Sequence, residues 1–256
     1  MSISKFDLTG KVALVTGGNG GIGLGMASAL AESGADICIW GRNETKNQAA
    51  EDVLKAYGRR TLALKCDVTD ESQVRECFAR TTDVLGGVDA CFANAGLHRM
   101  STPFHEMDTE EWRLIFRVNM EGTFFTLRAA VRHMLERGKG GSLVATSSLS
   151  GISAMARGEH YAASKAGVIA VIRSIAVEYA RYGIRANAIL PGWVESEMTG
   201  DLLAWGKFQA AVLPRVPMRR WGKPEDFGPM AVYFASDSSL YHTGDIVVID
   251  GGYHCF

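Results

Sequence analysis

Two hydrophobic periods alternate along the chain. Lys11–Thr16 (KVALVT) is a short apolar, β-branched run, after which Ile22, Met26, Ala29, Leu30 and Ser33 recur at helical spacing. Asp36–Trp40 (DICIW) restarts the short period, and the same alternation predicts strands at Thr61–Cys66, Val88–Ala93, Ser142–Thr146, Ile184–Leu190 and Asp245–Ile249. Glycines stand between a helical stretch and a strand at Gly34, Gly58, Gly86–Gly87, Gly140–Gly141 and Gly183. A helix often ends on a residue with positive φ, which glycine adopts at least cost. Asp108 with Glu111 predicts a capping box opening a long helix that runs to about Arg137, and Pro224 fits the first turn of a helix ending near Ala235.

Strand and helix alternating without a break in composition predict an α/β fold, a doubly wound parallel sheet of about seven strands with helices on both faces. Residues 1–256 read as a single domain, with a small substrate lobe at about 193–216. In such a sheet ligands lie at the carboxy ends of the strands, where the strand order reverses. The segments that follow the strands therefore carry the candidate chemistry.

Composition changes this picture little. The chain is 47% apolar and 21% charged with a net charge of -1, so nothing electrostatic points to nucleic acid or an anionic membrane as partner. No apolar run reaches the roughly eighteen residues of a membrane helix. The amino terminus, MSISKFDLTGK, lacks the apolar core of a signal peptide, and the expected location is cytoplasmic. Cys38, Cys66, Cys77, Cys91 and Cys255 form no C-x-x-C, and three lie in strand-like runs, which predicts buried free thiols. The histidines lack metal-ligand spacing, and no metal is expected even where His242, His254 and Cys255 approach the carboxy end.

Two stretches do change it. Thr16-Gly17-Gly18-Asn19-Gly20-Gly21-Ile22-Gly23 joins the first strand to the first helix. Glycines there allow close backbone approach to a pyrophosphate, whose charge the helix amino terminus favours. The spacing, G-x-x-x-G-x-G, differs from the better-known G-x-G-x-x-G. The second stretch is Glu159–Lys165 (EHYAASK), where Tyr161 and Lys165 share a helix face. Tyrosine at its ordinary pKa of about 10 is a poor base at neutral pH, and a nearby fixed cation favours the phenolate. The pair therefore predicts a general acid/base whose pKa is lowered.

T-G-x-x-x-G-I-G, then Asn94-Ala95-Gly96, then Ser148 thirteen residues before Y-x-x-x-K, then Pro191-Gly192 and Asp250-Gly251-Gly252 span nearly the whole chain. Together they resemble the short-chain dehydrogenase/reductase family. The resemblance implies a Rossmann fold and a catalytic group of Asn119, Ser148, Tyr161 and Lys165. Tyr161 is then acid/base, Lys165 tunes it and holds the nicotinamide ribose, Ser148 polarises the substrate oxygen, and Asn119 supports a proton relay. It also implies a dinucleotide held by Gly17, Asn19, Gly21, Ile22 and Gly23, by Asp67 and Val68 at the adenine, by Asn94, Ala95 and Gly96, and by Pro191, Gly192, Val194 and Ser196 at the nicotinamide.

The end of the second strand bears on which dinucleotide. Gly41 stands where NAD-preferring relatives carry an acid, and Arg42 and Asn43 follow. A guanidinium pairs well with a 2′-phosphate, so NADP(H) is favoured, with NAD(H) possible because Gly20 replaces a second basic residue. Read without the resemblance, Arg42 is a solvated loop charge, Asp67 a cap beside Thr69, and Ser147 a strand-end hydroxyl satisfying backbone. Ala93 in place of an asparagine puts a strand-stabilising bond in question, and Ser196 replaces the usual threonine.

Specificity is expected between Ile152 and Gly158, at His98 and Met155, and in the lobe with Trp193, Met198, Leu202, Leu203, Trp205 and Phe208. A lid over a partly apolar substrate and packing of the lobe on its own domain explain those aromatics equally well. The helix from about His160 to Tyr182 carries a stripe of Val168, Ile172 and Ile175 and another of Ala162, Ala166, Ile169 and Ala170. Relatives use this helix in a dimer interface, which implies a homotetramer or a homodimer. The expected activity is NADP(H)-preferring interconversion of a small, partly apolar ketone and its secondary alcohol. NAD-dependent oxidation of a sugar, polyol or cyclic alcohol is the alternative, and a dinucleotide-binding protein without turnover the third.

Overall fold

The computed structural model describes residues 5–255. Seven strands form one sheet: β1 (Val12–Thr16), β2 (Asp36–Gly41), β3 (Thr61–Lys65), β4 (Ala90–Ala93), β5 (Gly141–Thr146), β6 (Ile184–Pro191) and β7 (Ile246–Ile249). All pairings are parallel, in the order β3-β2-β1-β4-β5-β6-β7. The helices that cover it are α1 (Gly21–Glu32), α2 (Glu44–Lys55), α3 (Glu71–Leu85), α4 (Thr109–Phe116), α5 (Gly122–Arg137), α6 (Glu159–Tyr179), α7 (Gly200–Ala204), α8 (Gly206–Val212) and α9 (Gly228–Ala235). This is the doubly wound α/β arrangement that the pattern predicts. Its strand order reverses between β1 and β4.

Period two sorts each strand onto both faces. Leu14, Cys38 and Trp40 join one buried layer with Phe78, Leu127 and Ile172. Ala13, Val15, Ile37 and Ile39 join the other with Met26, Leu30 and Phe234. A strand buried on both faces needs an unbroken apolar run, as VALVT and ICIW supply. Each fully buried aliphatic side chain contributes about 1.5–3 kcal/mol relative to exposure. The helices are marked locally as well: Asp70 caps α3 by accepting from Ser72 N (2.9 Å) and Gln73 N (3.3 Å), and Gly86 ends it at φ +90°.

Three local expectations fail. Asp108 makes no capping bond; Glu111 instead accepts from the Ser101 hydroxyl at 3.0 Å and lies 3.5 Å from His160 Nε2. A buried imidazole and a loop hydroxyl draw the carboxylate away from the backbone it would cap. The long helix is interrupted by a π turn at Arg117–Glu121, although it ends at Arg137 as expected, with Gly138 (φ +66°) next. Pro224 opens a 3₁₀ turn, Pro224–Phe227, that leads into α9. Cys38, Cys66, Cys77 and Cys91 are buried and free, whereas Cys255 is exposed. Among the described residues no helix is long and apolar enough to cross a membrane.

Candidate active site

The crevice is built from the ends of β1, β2, β4, β5 and β6. At its floor, Gly17 turns the chain at φ +64° and donates to Trp40 O at 2.7 Å. A Cβ on Gly23 would stand 2.2 Å from Gly17 O and 2.5 Å from Asn94 Nδ2, so only hydrogen fits where α1 starts. No side chain caps α1, and its first turn holds no acid. A Cβ on Gly20 would meet nothing within 4 Å. An uncapped helix amino terminus facing open space fits the pyrophosphate of a dinucleotide.

The turn is braced from β2. Asn19 Nδ2 donates to Asn47 Oδ1 (2.7 Å), and Asn47 Nδ2 donates to Gly41 O (2.9 Å) and Leu64 O (3.1 Å). Arg42 is exposed and makes no ion pair among the described residues, while Asn43 uses its side chain to cap α2 through Lys46 N at 3.0 Å. Sequence reading missed Asn47, and it missed Lys46, which pairs with Glu197 across the crevice from the segment after β6. Asp67 Oδ1 accepts from the Thr69 amide (3.0 Å) and hydroxyl (2.8 Å) in a local turn and caps no helix, that place being taken by Asp70; Val68 is buried beside Gly122.

Asn94 joins three strand ends. Its Nδ2 donates to Thr16 O (3.0 Å) and Gly17 O (3.4 Å), and its Oδ1 accepts from Thr146 Oγ1 (3.0 Å). The Asn94 and Ala95 amides both donate to Thr16 Oγ1 at 3.0 Å. These bonds tie β1, β4 and β5 together without an asparagine at position 93. Gly96 borders the next group: a Cβ there would lie 3.3 Å from Lys165 Nζ and 3.4 Å from Asn119 Oδ1.

Ser148, Tyr161, Lys165 and Asn119 converge from three elements. The Tyr161 hydroxyl shares a hydrogen bond with the Ser148 side chain, and Lys165 Nζ lies 5.8 Å from the Tyr161 ring centroid while donating to Thr146 O at 2.8 Å. Ser147 turns the other way and donates to Lys165 O at 2.8 Å, the backbone role expected of it. Asn119, fully buried in the π turn, donates to Leu97 O and Ser164 Oγ (both 3.0 Å) and accepts from Leu97 N (2.8 Å).

The electrostatics correct one expectation. Burial pushes the Tyr161 phenol above its ordinary value, against a smaller downward pull from the Ser148 bond. Lys165 does not offset that rise, because the ammonium is turned toward the Thr146 carbonyl and is itself pushed down by burial to about 8. His98, whose ring stands edge-on to Tyr161 (4.7 Å between centroids, 82°), is lowered by burial, then by His160 and Lys165.

Ser148 and Tyr161 open onto a cavity of about 140 Å³ that His98, Met155, Trp193 and Met198 also line. Ser153 and Ala154 border it from the Ile152–Gly158 stretch. The lobe packs on itself and also borders the cavity. Trp193 packs on Phe208 (4.9 Å) and Phe208 on Trp221 (6.3 Å), with Leu203 and Val216 beneath, while Trp193 and Met198 face the cavity. Trp205 is 56% exposed and serves neither. Ser196 shares a hydrogen bond with Thr199 (3.0 Å) and lies against Gly21 across the crevice. Gly192 donates to Ile249 O at 3.0 Å, and a Cβ on it would strike Asp250, so Pro191-Gly192 and Asp250-Gly251 stack at the strand ends; Val194 bridges to Gly222.

Comparison with known proteins agrees with this arrangement. Residues 17–254 match the family described as Enoyl-(Acyl carrier protein) reductase. L-rhamnose 1-dehydrogenase (NAD(P)(+)) of Sphingomonas sp. (strain SKA58) is 37% identical over 252 residues, covering 96% of each chain. A short-chain type dehydrogenase/reductase from Mycobacterium marinum superposes with a TM-score of 0.94 at 37% identity, covering 100% of both chains. A gluconate 5-dehydrogenase from Burkholderia cenocepacia J2315, in complex with NADP and tartrate, also reaches 0.94 at 32% identity and 100% coverage of both. The chain belongs to the short-chain dehydrogenase/reductase family and is an NAD(P)-dependent oxidoreductase acting on CH–OH groups.

Proposed function

We propose that this enzyme interconverts a small ketone and its secondary alcohol, prefers NADP(H) and also accepts NAD(H). The observation that carries the chemistry is the Ser148–Tyr161 hydrogen bond at the mouth of the cavity, with Lys165 one helical turn along. The nicotinamide, when bound, supplies or accepts the hydride. Tyr161 gives its proton to the carbonyl oxygen in reduction and takes it back in oxidation. Ser148 donates to the same oxygen and stabilises the charge that develops there. Lys165 holds the ribose hydroxyls and, while protonated, favours the phenolate. Asn119 Oδ1 and Lys165 Nζ border the same glycine, which supports Asn119 as the residue that orients a proton path to the lysine.

In this reading the pyrophosphate is held by Gly17, Asn19, Gly21, Ile22 and Gly23, the adenine by Asp67 and Val68, and the nicotinamide side by Asn94, Ala95, Gly96, Pro191, Gly192, Val194 and Ser196. Asn19 and Asn94 act chiefly by bracing the turn. The NADP(H) preference is supported by unpaired Arg42 and by Gly41, where any side chain would collide with Asn19 and Asn47. The gluconate 5-dehydrogenase relative binds NADP. The rhamnose dehydrogenase is named for both cofactors, which favours a second reading: NAD-dependent oxidation of a sugar or cyclic alcohol. A binding protein without turnover would not need Ser148.

Fluorescence titration with NADPH and NADH, followed by a carbonyl panel read at the nicotinamide absorbance, tests the proposal. Turnover abolished by Tyr161→Phe with dinucleotide binding retained is expected; binding without any turnover would defeat it. We also propose a cytoplasmic homotetramer. Support comes from the outward stripe of α6, where Ala163, Ala166 and Ala170 are exposed and Val177 is 86% exposed. Sedimentation velocity reads the assembly state directly.

A further inference from the structure

The cavity in front of Tyr161 and Ser148 has a size and a lining that narrow the substrate. Its volume, about 140 Å³, is close to that of the cavities of roughly 150 Å³ that hold a benzene-sized molecule. Leu149, Met155, Trp193 and Met198 give it apolar walls. Among the described residues, not one lysine, arginine, aspartate or glutamate lines it. A carboxylate or phosphate drawn into this space would lose its hydration and gain no counter-charge.

The polar exceptions are placed unevenly. Ser150 donates to Met155 Sδ at 3.3 Å, and Ser148 and Tyr161 bond to each other. His98 is different: its ring is fixed edge-on against Tyr161, yet neither nitrogen has a hydrogen-bond partner among the described residues. His98 lines the cavity, and neither of its nitrogens is among the fully enclosed polar atoms without partners. Burial and the neighbouring His160 and Lys165 keep the imidazole neutral, so it offers one donor and one acceptor and no charge. Such a group pairs with a hydroxyl or carbonyl in either sense. When a ligand expels water, it is left unpaired unless the ligand carries an oxygen there.

We infer that the substrate is a small uncharged ketone or alcohol, about the size of a six-membered ring, carrying a second oxygen, and that His98 is the specificity residue that reads this oxygen. The His98 and Tyr161 rings are in edge-on contact and line the same cavity, so both can address one small ligand. This rests on the oxidoreductase reading above and narrows it to a hydroxyketone or diol class. Sugar acids and acyl thioesters on long carriers fall outside it.

The test uses three ketones with the full-length enzyme: cyclohexanone, 2-hydroxycyclohexanone and 4-oxocyclohexanecarboxylate. Wild type is expected to prefer the hydroxyketone over cyclohexanone by about tenfold in kcat/KM, and over the carboxylate by about a hundredfold or more. His98→Leu should reduce the hydroxyketone's advantage to within about threefold, mainly through KM, and His98→Gln should restore most of it. An equal loss on both uncharged ketones in His98→Leu would make the residue a packing element and overturn its assignment. A preference for the carboxylate would overturn the uncharged class. Turnover on the broader carbonyl panel but on none of these three would overturn the proposed class, whereas no turnover on that panel either would bring down the ketone–alcohol reading instead. Binding of the same compounds, read as quenching of enzyme-bound NADPH fluorescence, still decides the ligand class by the same order of preference.

Discussion

Asn19 donates to Asn47 across the gap between the glycine turn and α2, and the bond runs over the spot a side chain on residue 41 would occupy. A Cβ on Gly41 would stand 2.2 Å from Asn19 Nδ2 and 2.4 Å from Asn47 Oδ1. The acid that NAD-preferring relatives place here is therefore incompatible with the brace. Gly41→Asp is expected to destabilise the fold by about 1–3 kcal/mol and to weaken NADH as well as NADPH. Urea unfolding and titration of both cofactors read this out. A stable variant with tightened NADH binding would sink the idea.

Arg42 carries a second consequence. A guanidinium–phosphate contact is worth about 1.5–3 kcal/mol, so Arg42→Ala should weaken NADPH by roughly tenfold to a hundredfold while NADH changes little. Lys46 is close behind it in sequence but paired with Glu197. Glu197→Gln, which frees that ammonium, should tighten NADPH by a few-fold at low salt and lose the gain as salt rises. An unchanged NADPH/NADH ratio in Arg42→Ala would count against both.

Lys165 links function to stability through pH. Its folded value, about 8, lies below the 10.5 of the free side chain. Between those values the unfolded chain holds the proton and the folded one does not, so stability rises with pH there. At pH 7 the buried ammonium opposes folding by an amount on the order of a few kcal/mol. Lys165→Met should therefore melt higher than wild type at pH 7, with the gap narrowing between pH 8 and 10. Above about 10, Tyr161, whose folded value is raised, works in the opposite sense. Thermal melts across this range check the sign; a gap independent of pH would refute it.

Ser147 and Ser148 are adjacent and should behave unlike each other. Ser148→Ala is expected to lower kcat by about a hundredfold to a thousandfold with the melting temperature preserved. Ser147→Ala removes a buried bond to Lys165 O and should cost about 1 kcal/mol of stability, with a smaller kinetic effect. Equal kinetic losses would mean that the serine assigned to the substrate oxygen is wrong.

The strands were legible because burial on both faces imposes a continuous apolar run, and VALVT or ICIW has few other readings. Tyr161 and Lys165 were legible as a pair because they lie on one helix, whereas the roles of Ser148 and Asn119 followed from the family resemblance. What stayed hidden depends on partners distant in sequence. Asn19 and Asn47 are 28 residues apart, and Lys46 and Glu197 151. Glu111 carried the local signature of a cap and was drawn to Ser101 and His160 instead. Local spacing does not report where a long side chain finds its strongest partner, nor that a lysine near a phenol is held by a third group.

The strand order also schedules the molecule's synthesis. β1, β2, β3 and β4, with the glycine turn and Asn94, leave the ribosome before β5 and α6. A nascent chain interrupted after β4 carries the glycine turn but neither Ser148 nor Tyr161. The glycine turn is thus translated ahead of the segment that carries Ser148 and Tyr161, and Asn94 meets its Thr146 partner only once β5 has followed.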